Sequence, residues 1–266
     1  MSAYIISKLY PINWGEVMPE EFLVAQDLHK SFNEHKAVNG VSFTLYKGEI
    51  FGLLGPNGAG KTTMIRILAT VLEPDYGDVT VGGYSIRRNA DAVRRLIGVC
   101  PQELALYEDL SALDNLLFFG RMVGLDGKEA RAQALAHLEL MGLVERAKGK
   151  VAKFSGGMKR RINLAIALMG HPELLFLDEP TVGIDPQSRN NIYETIESLR
   201  AKGMTILYTT HYMEEANRLC NRVAIMDGGK IIAMGTLDEL KSQIGPPERV
   251  TLEDVFLKLT GRSLRD

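Results

Sequence analysis

From Ile50 the chain reads Ile50-Phe51-Gly52-Leu53-Leu54-Gly55-Pro56-Asn57-Gly58-Ala59-Gly60-Lys61-Thr62. The run up to Leu54 is apolar almost throughout, which is typical of a strand buried on both faces of a sheet. The glycine-rich part after it fits the pattern G-x-x-x-x-G-K-[ST]. A stretch of helical composition, Thr62 to Leu72, comes next. A strand, a loop and a helix in this order predict the start of a parallel α/β sheet.

The glycine-rich loop has the composition of a phosphate-binding site. Its glycines let the backbone curl so that successive N–H groups face phosphate oxygens, and the helix N-terminus adds to this. In this pattern Lys61 reaches the β- and γ-phosphates and the Thr62 hydroxyl ligates Mg²⁺. A turn that merely contains a lysine is disfavoured, because the pattern follows a buried strand and opens a helix. We therefore expect a nucleotide with Mg²⁺, held by Gly55, Pro56, Asn57, Gly58, Ala59, Gly60, Lys61, Thr62 and Thr63; the family resemblance described below makes ATP the expected nucleotide.

A second apolar run, Leu174 to Leu177, ends in two carboxylates, Asp178 and Glu179. The carboxyl edge of a parallel sheet faces the crevice that also holds the phosphate loop. We expect Asp178 to hold Mg²⁺ there and Glu179 to polarise the attacking water. Taken alone, such a pair more often caps a helix or lies in a loop. The phosphate loop is what favours the catalytic interpretation.

Composition and charge narrow the classes of protein. The chain has 266 residues, enough for one large domain, and 45% of them are hydrophobic, as in ordinary globular proteins. A net charge of −2 carries no polybasic signal, so nucleic acid is not expected as a partner. No apolar stretch approaches the roughly 18 residues that span a bilayer, and a signal peptide is not expected. Cys100 and Cys220 lack a histidine cluster that would complete a zinc site, and we expect them to be reduced thiols.

The middle of the chain, about residues 103–170, has helical rather than strand patterns. Ser111 and Asp114 resemble a capping box at the start of one helix, and further helices are expected over 128–141 and from Gly156 to about Gly170. Strand patterns resume at Leu174 and again over Met204 to Thr210, with a helix between them that begins after Asp185. Asp227-Gly228-Gly229 then predicts a hairpin. The expected division is an extension over 1–22, a domain over 23–236 with its helical subdomain at about 103–170, and a helical tail over 237–266.

Phe154-Ser155-Gly156-Gly157-Met158 opens the last helix of that middle section, and alone it would be a plain capped helix start. The order of phosphate loop, Gln102, Ser-Gly-Gly, Asp178-Glu179 and His211, however, closely resembles the ATP-binding cassette (ABC) ATPases. The resemblance covers about residues 23–236, and the Ser-Gly-Gly element separates this family from other phosphate-loop ATPases. It implies an α/β fold: a P-loop NTPase core with a parallel sheet, an N-terminal antiparallel β subdomain and an inserted α-helical subdomain.

ABC ATPases work as head-to-tail dimers, so the resemblance implies a second copy, or a homologous ATPase subunit, as partner. Ser155, Gly156 and Gly157 of one subunit would contact the γ-phosphate bound to Lys61 of the other. A helix N-terminus with small residues is physically suited to hold an anion. One copy would then contain half of each active site, and hydrolysis is expected only from the dimer.

The resemblance also assigns roles to single residues. Gln102 matches a glutamine that touches Mg²⁺ and the lytic water, and His211 matches a histidine that contacts the γ-phosphate. A lone histidine after a strand is usually a surface residue, so the assignment of His211 depends on the resemblance. Asp185 matches a loop that crosses the dimer interface. Phe32 resembles the aromatic residue that stacks on adenine, with simple strand packing as the alternative.

Within the family, the Gly157-Met158 pair and the ending Leu252 to Gly261 look most like the daunorubicin-resistance type. Such subunits serve exporters whose permease is a separate chain, so integral membrane permease subunits and the cytoplasmic face of the cell membrane are implied. Tyr107 and Glu108 are expected to line the groove that receives a permease helix. Met158 stands where glutamine is usual and cannot offer an amide hydrogen bond.

Two other kinds of function remain as alternatives. A soluble ABC protein acting on ribosomes or DNA usually carries two cassettes or a long coiled-coil insertion, and neither occurs here. A catalytically dead regulatory cassette is disfavoured because Glu179 and His211 are both present. The extension, with Trp14, is expected either to be a disordered leader or to dock onto the membrane partner.

Overall fold

The strands form two sheets in the computed structural model of the protein, which describes residues 19–261. In chain order they are β1 (Glu21–Phe32), β2 (His35–Tyr46), β3 (Ile50–Leu54), β4 (Tyr76–Val81), β5 (Tyr84–Ser85), β6 (Ile97–Cys100), β7 (Leu174–Asp178), β8 (Thr205–Thr210), β9 (Arg222–Asp227) and β10 (Lys230–Thr236). The smaller sheet has the order β2-β1-β4-β5 and is antiparallel. The larger has the order β10-β9-β3-β8-β7-β6, parallel from β9 to β6. The expected α/β class with an N-terminal antiparallel subdomain is confirmed.

The strand β3 lies between β9 and β8 in the larger sheet and is buried along its whole length. Its side chains alternate between two hydrophobic clusters, as the pleat requires. Ile50 and Leu54 belong to the cluster that the helices cover, whereas Phe51 and Leu53 belong to the cluster beneath the antiparallel sheet. Burial on both faces is what the continuous apolar run predicted.

The helices follow the strands and also form a separate layer. In chain order they are α1 (Lys61–Leu68), α2 (Ala90–Leu96), α3 (Ala112–Met122), α4 (Gly127–Leu140), α5 (Gly156–Ala167), α6 (Pro186–Ala201), α7 (Met213–Leu219), α8 (Leu237–Ser242) and α9 (Leu252–Thr260). The first of them ends four residues earlier than expected. Thr70 has a φ of +59°, which lies outside the right-handed helical region, so the helix cannot continue to Leu72. Within residues 19–261, no helix combines the length and the apolar character needed to cross a membrane.

The helices α3, α4 and α5 form the inserted helical subdomain, and no strand occurs between residues 103 and 170, all of which are described. Ser111 starts α3 by accepting the Asp114 N–H at 3.0 Å. Leu116 of α3 and Ile162 of α5 are buried in the same cluster as Leu177 of β7. The subdomain therefore packs directly on the sheet.

The hairpin between β9 and β10 is also confirmed. Asp227 pairs with Lys230, so the connecting turn consists of Gly228 and Gly229. Both glycines have positive φ, +51° and +76°, as the favoured two-residue hairpin turns require.

The two ends of the described chain are tied into the fold. β1 begins at Glu21 and buries Phe22, so it includes the last residues of the expected extension. The proposals about Trp14 fall on residues outside the described part. At the other end, α8 and α9 occupy the positions where tail helices were expected, and they bury Leu240 and Phe256 in the cluster that covers the larger sheet.

The two cysteine thiols are expected to be inert in the folded protein. Both are free and buried. Burial raises the pKa of the Cys100 thiol to about 12 and also raises the pKa of Cys220. Because the thiolate is the reactive form, a maleimide added at pH 8 should label neither cysteine in the native protein and both in urea. Labelling of the native protein, measured by intact mass, would contradict this burial.

Candidate active site

The ammonium group of Lys61 is fully engaged in the folded chain. Its Nζ donates to the carbonyl oxygens of Gly55 at 2.8 Å and Pro56 at 3.1 Å. The third partner is Glu179, with Oε1 at 3.1 Å. The Lys61 and Glu179 side chains are only 5% and 6% exposed. The three N–H donors of the ammonium thus meet three acceptors, so any further ligand of Lys61 must replace at least one of them.

Gly60 lets the loop close against the antiparallel sheet. Its φ is +105°, and a Cβ at this position would overlap the carbonyl oxygen of Ala37 in β2. An L side chain avoids both the angle and the overlap. Gly60, the second glycine of the G-x-x-x-x-G-K-[ST] pattern, is therefore also required for close packing of the loop against β2.

A cavity of about 310 Å³ opens in front of the loop. It is lined by Phe32, His35, Ala37, Asn57, Gly58, Gly60, Lys61, Thr62, Thr63, Gln102 and Glu179. All of these except His35 and Ala37 were predicted from the sequence as site residues. His35 faces the cavity because it pairs with Phe32 across the β1–β2 turn, a register that the sequence did not reveal.

Phe32 keeps 45% of its surface exposed at the rim of this cavity. Phe32 is the last residue of β1, so its ring can contact a ligand in the cavity, although other aromatic residues on strands, such as Tyr76 and Tyr84, are at least as exposed. By contrast, Gly55, Pro56 and Ala59 are buried beneath the loop and do not line the cavity. Their contribution is the backbone shape of the loop.

Thr209 of the neighbouring strand holds the Asp178 carboxylate and the Glu179 backbone at the end of β7. The Thr209 hydroxyl donates to Asp178 Oδ1 at 2.6 Å and accepts the Glu179 N–H at 3.1 Å. Glu179 itself has a φ of +47°, which is uncommon for a residue other than glycine. Such conformations persist only where the surrounding structure enforces them, and they cluster at functional sites.

His211 lies on the opposite side of Glu179 from Lys61. Its Nδ1 is 3.1 Å from Glu179 Oε2, whereas Lys61 contacts Oε1. The histidine follows directly on Thr210, the last residue of β8. The structure therefore joins three predicted site residues through one carboxylate.

The segment around Gln102 is fastened to α5. Arg160 Nη1 donates to the Gln102 carbonyl oxygen at 2.7 Å and to that of Pro101 at 3.2 Å. Asn163 accepts the Ala105 N–H at 3.1 Å and also donates to Pro101 at 3.2 Å. Gln102 is exposed and lines the cavity, while its backbone is hydrogen-bonded to the helix that Ser155 opens.

A larger cavity, about 650 Å³, adjoins the first one between α1, β6 and the helical subdomain. Thr62 and Gln102 line both cavities, and Asp178 lines the second. Their hydroxyl, amide and carboxylate oxygens are the donors that Mg²⁺ accepts when phosphates and water complete its shell. No cluster of three His, Cys, Asp or Glu side chains suited to a metal occurs within residues 19–261. The donor set fits Mg²⁺ held jointly with a nucleotide rather than an all-protein metal cage.

The Ser-Gly-Gly element lies outside both cavities. Ser155 is the N-cap of α5, with its Oγ accepting the Met158 N–H at 3.3 Å. Ser155 and Gly156 are exposed, but Gly157 is buried against Ser188, and a Cβ there would overlap the serine side chain. Asp185 caps α6 through the Ser188 N–H at 2.9 Å, and this hydrogen bonding lowers the pKa of the Asp185 carboxyl.

Tyr107 and Glu108 are not among the residues that line either cavity. The Tyr107 ring contacts Phe118 with centroids 4.9 Å apart and Phe119 at 6.0 Å. Phe119 in turn lines the larger cavity, and Glu108 forms an ion pair with Lys159. The predicted docking segment therefore borders the larger cavity through Phe119 without forming its wall.

A parallel sheet, a phosphate loop that opens a helix and two carboxylates at a neighbouring strand end together define a P-loop nucleotide-binding ATPase. Comparison with known proteins gives the family. The family model described as ABC transporter matches residues 38–182. A linearmycin resistance ATP-binding protein of Bacillus subtilis is 53% identical over 84% of this chain and 72% of its own length. The chain belongs to the ABC transporter family.

Other relatives and solved structures agree. A daunorubicin resistance ATP-binding protein of Streptomyces coeruleorubidus is 42% identical over 92% of this chain and 76% of its own length. The solved ATP-binding subunit of an ABC transporter superposes with a TM-score of 0.80 at 30% identity, covering 90% of this chain and 99% of that one. A dimeric ATP-binding cassette bound to ADP and phosphate has a TM-score of 0.72 at 27% identity, covering 81% and 98%. The protein is an ATP-binding ATPase, and its hydrolysis of ATP is coupled to transport.

Proposed function

We propose that this chain drives export through a separate membrane-spanning permease, and that two copies enclose ATP head to tail at the cytoplasmic face of the cell membrane. The observation that carries the head-to-tail arrangement is the placement of Ser155 and Gly156. They form an exposed helix start suited to an anion, yet they do not line the cavity in front of Lys61 in their own chain. A second copy supplies the phosphate that such a helix start would meet.

Within that dimer, each site residue has a chemical task. Phe32 stacks on the adenine ring, and the loop from Gly55 to Thr63 binds the phosphates. Glu179 takes the proton of the attacking water. Gln102 contacts that water, and His211 contacts the γ-phosphate. Thr62, Gln102 and Asp178 would hold Mg²⁺, which would supply positive charge against the phosphates. Ser155, Gly156, Gly157 and Asp185 act across the dimer interface.

Export, rather than import, is supported by the relatives. Those described above are named for resistance to linearmycin and to daunorubicin, and a further relative, from Paraburkholderia xenovorans, is a Nod factor export ATP-binding protein, 44% identical over 92% of this chain. No residue of the ATPase needs to touch the exported molecule, so its chemistry is set by the permease.

The larger cavity is the proposed permease-docking site. It is open and mainly apolar, and Val71 and Val123 in its wall keep 68% and 58% of their surfaces exposed. An exposed apolar concavity marks a place where another protein segment is buried. Because Thr62 and Gln102 line both cavities, a segment bound here lies next to the proposed Mg²⁺ and γ-phosphate positions. Binding of the permease in one cavity and of the nucleotide in the other are thus coupled through Thr62 and Gln102.

Placing a charge in the docking cavity is expected to release the permease without harming the nucleotide site. The full chain, tagged and co-expressed with the reading frames that flank its gene, should recover a membrane-spanning protein from detergent. Val123→Glu should lower the recovery about tenfold, because a buried unpaired carboxylate opposes docking. Val144→Glu is the matched control, since Val144 is 44% exposed and does not line the cavity. Equal recovery with both variants would refute this docking site, and no recovery with the wild type would refute the permease partner.

A further inference from the structure

A buried carboxylate that the proposed mechanism does not use lies directly behind the site. Glu215 of α7 is only 2% exposed. Its Oε1 accepts hydrogen bonds from Thr181 Oγ1 at 2.5 Å and from the Tyr193 hydroxyl at 2.9 Å. Its Oε2 accepts from the Tyr208 hydroxyl and from Thr210 Oγ1, both at 2.8 Å. None of the ion pairs within residues 19–261 includes it.

Four hydroxyl donors satisfy the carboxylate completely. An ionised carboxylate is an acceptor only, with room for about four hydrogen bonds on its two oxygens. Burial, together with the charge of Glu215, raises the pKa of the Tyr193 and Tyr208 hydroxyls, so both remain protonated donors. A buried polar group with every partner in place rigidifies the segments it joins.

The partners of Glu215 belong to the segments that hold the proposed site residues. Thr181 lies two residues after Glu179, and Thr210 is covalently joined to His211. Thr210 Oγ1 also accepts the Tyr212 N–H at 2.9 Å, so the backbone on both sides of His211 is held. Tyr193 belongs to α6, the helix that Asp185 caps.

We propose that Glu215 is a positioning residue for ATP hydrolysis, which fixes Glu179 and His211 relative to each other by binding Thr181 and Thr210. The proposal rests on the roles given to Glu179 and His211 under Proposed function. Thr209 holds Glu179 from one side, and Glu215 holds the chain that follows it from the other. The left-handed backbone of Glu179 is thereby enclosed between two hydrogen-bonded anchors.

Replacing Glu215 by its amide tests this role. In Glu215→Gln, one carboxylate oxygen that accepts two hydroxyls becomes an NH₂ donor, so at least two hydroxyls must turn and the enclosed backbone loosens. We expect kcat of the full chain to fall about tenfold or more, because small displacements of catalytic groups are costly. The KM for ATP and the affinity for a fluorescent ATP analogue should change by less than about twofold. Glu214→Gln is the matched control, since Glu214 is the neighbouring, exposed residue and should leave both constants unchanged.

A double variant separates positioning from general stability. If Glu215 acts through His211 and Glu179, Glu215→Gln should lower kcat by a much smaller factor in the His211→Ala background than in the wild type. Full additivity, or a kcat within about twofold of wild type in Glu215→Gln, would overturn the proposal. If Glu215→Gln does not fold, Thr181→Val decides, because it removes one link at nearly constant volume: lowered kcat with unchanged KM supports the proposal, and unchanged kcat overturns it.

The same assay distinguishes a failure of the positioning role from a failure of the proposed catalytic roles. Glu179→Gln measured alongside should abolish turnover. If it does not, the catalytic roles on which the inference rests are wrong. If it does while Glu215→Gln is fully active, only the positioning role is wrong.

Discussion

Glu179→Gln is expected to stop ATP hydrolysis while leaving ATP binding intact or tighter. Loss of a positioned general base lowers a rate roughly 100- to 10,000-fold. The same change removes the negative charge that now pairs with Lys61 at 3.1 Å, so the ammonium is freer to meet a phosphate. Unhydrolysed ATP should then hold two copies together. Phosphate release measures the first effect, and size-exclusion chromatography with ATP and Mg²⁺ measures the second.

Glu173→Gln provides the control for this experiment. Glu173 is exposed and precedes β7 at the end of the strand opposite to Glu179, so the same chemical change is made away from the site. It should hydrolyse ATP at the wild-type rate. Wild-type turnover in Glu179→Gln would mean that another group takes the proton. Loss of ATP binding would instead mean that the Lys61 ion pair maintains the loop.

The phosphate loop and its flanking elements could be predicted because their signals are local. A buried strand, a glycine pattern and a helix start are consecutive in sequence, and each is decided by residues close to it. The strand β6 could not be predicted in this way. Ile97 to Cys100 is short and contains Gly98, and its place in the sheet comes from pairing with β7 far along the chain. A Cβ on Gly98 would overlap the carbonyl oxygen of Ala167, so its glycine reflects packing that only the fold makes visible.

In the site too, some features could be predicted from local sequence and others could not. Lys61 and Glu179 were identified from motifs, but the contact between them depends on how β3 and β7 are placed around β8. Glu215 belongs to none of the motifs identified in the sequence. It becomes conspicuous only when its burial and its four hydroxyl partners are known. A residue that positions other side chains is recognised by its burial and its hydrogen-bond partners. Neither can be read from a single sequence.

The composite site makes a further prediction: two inactive variants should restore activity to each other. Lys61→Ala removes the phosphate-binding half of a site. Gly156→Asp places a negative charge on the helix start proposed to meet the γ-phosphate, and a Cβ at Gly156 has no neighbour within 4 Å, so the fold tolerates it. Gly127→Asp, at the first residue of α4 and equally free of neighbours, is the control that should remain active.

In a mixed dimer of the two inactive variants, one site is damaged twice and the other is intact. The intact site combines the phosphate loop of the Gly156→Asp subunit with the Ser-Gly-Gly element of the Lys61→Ala subunit. An equal mixture should therefore recover about a quarter of wild-type turnover, because half of the dimers are mixed and each has one working site of two. Mixing Lys61→Ala with Glu179→Gln should recover nothing, since both changes fall on the same half of a site. Recovery in both mixtures, or in neither, would contradict a site shared head to tail, because only that arrangement makes the outcome depend on which halves are paired.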